Sequence, residues 1–241
     1  MQPTRLEEEI LREHFPNEDE YAAALARMEQ GEPLAYIVGE WYFYGLTFAL
    51  NADTLIPRPD TELLVDKLIR ILPPNARFAD LGTGSGCIAL SVLSHRKDVT
   101  ALLLDISENA LDAAKANAQA LGVADRCTFI RGDMRMFTPD EKFDAIASNP
   151  PYIAHNIIPT LSKQVAHEPV RALDGGVDGL DFYRSLVRRM PSHLKESGFL
   201  LFEIGYDQRD GITALCTENG LKCIVERDYG GNDRLALITQ P

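Results

Sequence analysis

The chain has 241 residues, of which 45% are apolar, and a formal net charge of −12. This length fits one large α/β domain with a small appendage, and its apolar runs are too short and broken for a membrane span. Net acidity counts against direct nucleic-acid binding, because phosphate contacts dominate the affinity of that class.

The N-terminal stretch MQPTRLEEEILREHFPNEDE is acidic and lacks the apolar region of a signal peptide. Residues 3–30 read as helical: Leu6, Ile10 and Leu11 recur at helical spacing, and residues 21–28 are rich in helix formers. Gly31 and Pro33 end that region. Residues 41–50 are aromatic and β-prone around one glycine, the pattern of a hairpin. Residues 56–62 form a turn into a helix that runs to about Leu72, with Asp60 or Thr61 as candidate caps.

From Arg77 strands and helices alternate. Strands are predicted at 78–81, 101–105, 127–130, 143–148, 199–204, 221–227 and 235–238. Helices are predicted at 86–95, 107–121, 178–190 and 207–219, and a long loop covers about 150–176. Alternation of this kind builds a doubly wound, mostly parallel seven-stranded sheet of Rossmann-like type, with its ligand beyond the carboxyl ends of the strands. The expected organisation is a helical segment at 1–35, a hairpin connector at 36–56 and the main domain at 57–241.

The four cysteines, Cys87, Cys127, Cys216 and Cys223, include no C-x-x-C pair. Neither a zinc site nor a disulfide framework is expected, and they read as reduced thiols in a cytoplasmic protein. Cys87 reads as a small core residue.

Gly82-Thr83-Gly84-Ser85-Gly86 follows the first strand of the alternation. Its glycines allow a tight turn and close backbone approach to a ligand at a helix N-terminus. The spacing is not the G-x-G-x-x-G of dinucleotide sites, and no phosphate-binding G-x-x-x-x-G-K motif is present. Asp105 ends the next strand, where a carboxylate can accept from two ribose hydroxyls; it can equally cap the following helix. Asp133 closes the third strand, placed to accept from an adenine amino group with Met134 packed on the ring, or to lie in a surface turn. Acids without a basic cluster fit an adenosine carrying an amino-acid tail and a sulfonium, S-adenosyl-L-methionine, which would leave as S-adenosyl-L-homocysteine.

Ser148-Asn149-Pro150-Pro151-Tyr152-Ile153 ends the fourth strand. Two prolines stop it and stiffen the tip, and Asn149 is held extended by the proline after it. The Asn149 side-chain carbonyl and the Pro150 backbone carbonyl can accept both hydrogens of a planar –NH2 group, with Tyr152 stacked on its plane. Such positioning aims a delocalised nitrogen lone pair at a methyl group.

In these motifs the chain resembles the protein-(glutamine-N5) methyltransferases that modify peptide chain release factors (the HemK/PrmC type). The resemblance is carried by IPRPDTE at 56–62, DLGTGSG at 80–86, SNPPYI at 148–153, HEP at 167–169, ALDGG at 172–176, DGL at 178–180 and RDYGGNDR at 227–234. It implies a class I S-adenosyl-L-methionine-dependent fold and methylation of the glutamine in the release factor Gly-Gly-Gln motif. It also implies that Gly82 through Gly86, Asp105, Asp133 and Met134 hold the cofactor. Asn149 through Tyr152 would hold the glutamine amide, with Asn149 shared by both ligands. The segment from His167 to Asp178 is expected to fold over the site, and Arg58 and Pro59 either to line it or simply to enter a helix. His167 reads as a surface residue, and Glu203 has no assigned role. The residues before Gly31 are too few for the helical N-terminal domain of that family, so a shortened one is expected, in a monomer. A ribosomal-protein glutamine methyltransferase, a nucleic-acid adenine-N6 methyltransferase and a non-catalytic adenosine-binding subunit are the alternatives.

Overall fold

The computed structural model describes residues 3–241. The N-terminal region is two helices, α1 (Arg5–His14) and α2 (Glu18–Glu29), where the sequence reads as one helical stretch. Pro16 cannot continue α1, and the Asn17 side chain accepts from the backbone N–H groups of Asp19 and Glu20 to start α2. Thr4 and Glu7 form a reciprocal capping box on α1. A short helix, α3 (Leu34–Val38), follows where a stop was expected. Pro33 starts this helix, because its missing N–H is not needed there. Leu11, Ala24, Met28, Leu34 and Ile37 form the apolar centre of this region.

The hairpin is β1 (Glu40–Phe43) and β2 (Leu46–Ala49), joined through Tyr44 and Gly45, both at positive φ. Helix α4 (Glu62–Ile71) then leads to the alternating part: β3 (Arg77–Leu81), α5 (Cys87–His95), β4 (Thr100–Asp105), α6 (Glu108–Ala120), β5 (Cys127–Arg131) and β6 (Phe143–Ser148). The remainder is α7 (Asp181–Arg189), β7 (Leu194–Glu203), α8 (Arg209–Glu218), β8 (Lys222–Arg227) and β9 (Asp233–Thr239). Helix α7 starts later than expected, after a loop in which Gly179 takes φ +76°. Strand β7 starts earlier, through the polar Lys195-Glu196-Ser197 that does not read as a strand.

The seven strands lie in the order β5-β4-β3-β6-β7-β9-β8. All neighbours are parallel except those of β9, which runs antiparallel to both β7 and β8. Strand alternation sorts the core. Phe78, Leu103, Ala145 and Leu201 face one side with α4, α5, α6 and the hairpin's Phe43 and Phe48. Ala79, Leu81, Leu102, Leu104, Ile146, Leu200 and Phe202 face the other with α7 and α8. Each fully buried Leu or Phe contributes roughly 1.5–3 kcal/mol of transfer free energy. The strand order reverses between β3 and β4 on one side and β6 on the other. The carboxyl ends of β3, β4 and β6 therefore open onto one crevice.

Candidate active site

A cavity of about 550 Å³ occupies that crevice. Gly82 through Ser85, Asp105, Asp133, Met134, Asn149 and Pro151 line it, so most of the residues expected at the site converge. Gly86 does not line the cavity; it sits at the N-terminus of α5 with φ +83°. Pro150 and Tyr152 also lie outside the lining, Pro150 buried and Tyr152 half-buried behind the cavity wall.

The glycine loop is shaped by its neighbours. Gly82 and Thr83 donate their backbone N–H groups to the Leu104 carbonyl, at 2.8 and 2.9 Å. Gly82 takes φ +76°, and a Cβ there would lie 2.5 Å from the Met134 side chain. The positive φ favours glycine here, and a larger residue would also have to displace the Met134 methyl. Asp105 accepts from Gly84 N–H at 2.8 Å and from Ser107 N–H at 2.9 Å. The residue that caps α6 is Ser107, whose hydroxyl accepts from Ala110 N–H. Asp105 is thus free of the capping role. Burial pushes its carboxyl above the usual carboxylate range, against the pull of those backbone N–H groups.

Asp133 is engaged at the rim. Its carboxylate accepts from Arg135 Nη2 at 2.7 Å and from Arg135 N–H at 2.9 Å, and Arg135 holds it below its ordinary value. Met134 is buried in the core under the loop.

Asp80 opens the glycine-loop motif without a role legible in the sequence. This residue, fully buried on β3, accepts through Oδ2 from the Thr83 hydroxyl at 2.7 Å and from Ala89 N–H at 3.3 Å. Burial pushes its carboxyl up to about 6. Among the described residues, Asp80 Oδ1 and Ser85 Oγ are buried without a hydrogen-bond partner. Asp80 lies outside the cavity lining, whereas Ser85, Asp105 and Asp133 border it, and acids at a glycine loop suit a ligand that brings donors and positive charge. The amino group, sulfonium and adenine amine of S-adenosyl-L-methionine meet that requirement.

Asn149 sits at the carboxyl end of β6. The Ser148 hydroxyl donates to the Leu81 carbonyl at 2.6 Å and locks the ends of β6 and β3 together. Asn149 Nδ2 donates to the Thr61 hydroxyl oxygen at 3.2 Å. The Thr61 hydroxyl in turn donates to Glu203 Oε2 at 2.6 Å, and the Tyr152 hydroxyl reaches Glu203 Oε1 at 3.5 Å. Thr61 immediately precedes α4 at the N-cap position but makes no capping bond, because its hydroxyl is turned to Glu203. Asp60 does not cap it either and pairs with Arg234 at 3.1 Å. Glu203 is fully buried at the end of β7, and burial pushes its carboxyl up to about 7. Burial likewise raises the Tyr152 phenol. Gln208 Nε2 supports the tip from behind, donating to the Tyr152 and Gly179 carbonyls at 2.9 and 3.1 Å.

The far wall comes from the entry to α4 and the long loop. Arg58 lines the cavity and bonds to the buried Glu168, which also accepts from Ile56 N–H at 3.2 Å. Arg171 pairs with Asp53 at 3.1 Å, and Val170 through Ala172, Asp174 and Gly176 border the cavity. His167 is exposed and outside the lining. Cys87 is half-buried and does border the cavity, at the start of α5, so it is not the enclosed core residue its sequence context implied. Burial pushes its thiol up to about 12, which makes it a poor nucleophile. Among the described residues there is no cluster of His, Cys, Asp and Glu fit to hold a metal, and no helix long and apolar enough to cross a membrane.

Comparison with known proteins agrees with this architecture. The family described as "Methyltransferase small domain" matches residues 59–176. The chain is 41% identical over 234 residues to the release factor glutamine methyltransferase of Agrobacterium fabrum, a match covering 92% of this chain and 81% of that protein. It is 33% identical to the release factor glutamine methyltransferase of Aquifex aeolicus, over 98% of this chain and 83% of that protein. Among solved structures, the ribosomal protein L11 methylase of Lactobacillus delbrueckii subsp. bulgaricus superposes with a TM-score of 0.56 at 23% identity. That superposition covers 76% of this chain and 80% of the other, a likeness of fold alone. By its sequence relatives, the chain belongs to the release factor glutamine methyltransferase family.

Proposed function

We propose that this chain methylates the side-chain amide nitrogen of the glutamine in the Gly-Gly-Gln motif of peptide chain release factors, using S-adenosyl-L-methionine. The observation that carries the reading is the position of Asn149, which borders the same cavity as Gly82 through Ser85 and Asp105. A group held by Asn149 and a ligand held by the glycine loop would share one enclosure. The names of the relatives favour a release factor over a ribosomal protein or an adenine base as substrate.

When bound, the cofactor supplies an electrophilic methyl group on positively charged sulfur. The chain's contribution is placement and electrostatics. Gly82, Thr83, Gly84, Ser85 and Gly86 give the loop its close approach, Asp105 accepts from hydroxyls, and Asp133 with Met134 borders the base. Asn149 Oδ1 and the Pro150 carbonyl accept both amide hydrogens, and Tyr152 limits rotation of the amide plane. An amide nitrogen attacks only when its lone pair leaves conjugation. Holding both N–H bonds favours that geometry and the positive charge that grows on nitrogen. No strong base is required before transfer, because the attacking amide is neutral. Residues 1–35 would help grip the protein partner, with 36–56 as connector and 57–241 as the methyl-transfer domain.

The test is incubation of the enzyme with methyl-labelled cofactor and a purified release factor, read by peptide mass spectrometry. Label on the Gly-Gly-Gln glutamine supports the reading. Label only on adenine bases, or on no protein at all, refutes it.

A further inference from the structure

The contacts behind Asn149 form a directed chain. Glu203 is 1% exposed and Thr61, at the cavity wall, 2% exposed, so their oxygens are largely shielded from solvent. Glu203 Oε2 can only accept a hydrogen bond, whether the carboxyl is ionised or carries its proton on Oε1, and a threonine hydroxyl has one hydrogen to give. That hydrogen goes to Glu203 Oε2 at 2.6 Å. The Thr61 oxygen then has only lone pairs to offer to Asn149, so it must meet the –NH2 end of the amide, as it does at 3.2 Å. The amide carbonyl of Asn149 is turned the other way. Tyr152 rests on the second oxygen of the same carboxylate. Both polar side chains of the Asn-Pro-Pro-Tyr tip are therefore anchored on Glu203, one through Thr61 and one directly.

We propose that Thr61 and Glu203 are positioning residues that set which end of the Asn149 amide faces the substrate. A flipped amide would present two donors to a substrate –NH2 that also has only donors to offer, and the clamp would repel its target. The hydroxyl-to-carboxylate link removes that alternative before substrate arrives. Thr61 reaches the tip from the start of α4 and Glu203 from the end of β7, so the relay also fixes the distance between those elements at the cavity wall. This proposal rests on the reading that Asn149 receives a substrate –NH2 group.

The experiment compares the wild-type chain with Thr61→Val, which keeps the shape and removes the hydroxyl, and Thr61→Ser, which keeps the hydroxyl. Three quantities are read. They are kcat and KM for release factor methylation, the dissociation constant for S-adenosyl-L-homocysteine, and the NOE between the Asn149 side-chain NH2 protons and the side chain of residue 61 in the ligand-free protein. Thr61→Val is expected to lower kcat about 10- to 100-fold, the scale of a small misplacement of a positioning group. Affinity for S-adenosyl-L-homocysteine is expected to stay near wild type. Thr61→Ser recovers most of the lost turnover, and the NOE is present in both hydroxyl-bearing proteins. Wild-type turnover in Thr61→Val, or a Thr61→Ser variant as slow as Thr61→Val, overturns the proposal. So does absence of the NOE in the wild-type protein, a measurement that needs no substitution and stands even if a variant folds poorly. If the wild-type chain methylates no release factor while the NOE is present, the functional reading fails and the relay stands.

Discussion

The backbone N–H of Gly84 donates to Asp105 Oδ2 at 2.8 Å, so the acid that ends β4 also holds the glycine loop that follows β3. Loop shape and the Asp105 carboxylate are therefore one unit. Asp105→Asn removes the charge and replaces one acceptor with a donor that faces either Gly84 N–H or Ser107 N–H. Hydrogen bonds to charged groups contribute about 1.5–3 kcal/mol, so affinity for S-adenosyl-L-homocysteine is expected to fall roughly 10- to 100-fold. Titration calorimetry reads this directly.

Asn149→Ala is expected to separate binding from turnover. The glycine loop and Asp105 do not depend on its amide, so cofactor affinity is expected to fall only by the share Asn149 itself contributes, far less than turnover. Loss of one preorganised acceptor at the reacting nitrogen is expected to lower kcat by about 10²–10³. Steady-state kinetics with a release factor substrate, beside calorimetry with S-adenosyl-L-homocysteine, checks both halves.

Gly175 anchors the long loop against the tip. A Cβ there would lie 2.8 Å from the Pro151 carbonyl oxygen, the Tyr152 Cα and the Gly179 Cα, all backbone atoms that cannot step aside. Its N–H donates to the Ile153 carbonyl at 2.8 Å. Gly175→Ala therefore pushes the loop off the Pro-Pro-Tyr segment. An overpacking cost of about 1–3 kcal/mol is expected, seen as a lower melting temperature together with reduced turnover.

Glu203 gives a pH signature. Burial raises its carboxyl from the ordinary 4.5 to about 7, pushed further by Asp60 and opposed by the Thr61 hydroxyl, Arg234 and the Tyr152 hydroxyl. The folded chain keeps a proton that the unfolded chain has released. Its stabilising contribution is therefore complete below the ordinary glutamate range and is lost as pH rises through about 7. Glu203→Gln cannot titrate. Relative to that variant, wild-type unfolding free energy is expected to fall across this window by roughly 3 kcal/mol at most, measured by urea unfolding at a series of pH values. Parallel pH profiles for the two proteins would contradict this.

Much of this was legible from local patterns. The alternating strands announced the sheet, and glycines, acids and prolines at strand ends marked Gly82, Asp105 and Asn149, because backbone demands there restrict residue choice. Boundaries were less legible. Pro33 reads as a stop yet starts α3, and the polar Lys195-Glu196-Ser197 hides the first half of β7, where the chain bulges between the Phe143–Leu194 and Ala145–Phe199 pairs with β6. The roles of Thr61, Glu203 and Gln208 were hidden for another reason. Thr61 meets Glu203 across 142 positions of sequence, a partnership that no local pattern encodes. The available signal was an acid ending the apolar Phe199-Leu200-Leu201-Phe202 run, since a buried carboxylate in a core strand calls for a partner.

The decisive measurement is a crystal structure with S-adenosyl-L-homocysteine and a Gly-Gly-Gln peptide. The glutamine –NH2 is expected within hydrogen-bond distance of both Asn149 Oδ1 and the Pro150 carbonyl, its nitrogen facing the sulfur. A glutamine amide bound elsewhere, or held by the –NH2 end of Asn149, would contradict this.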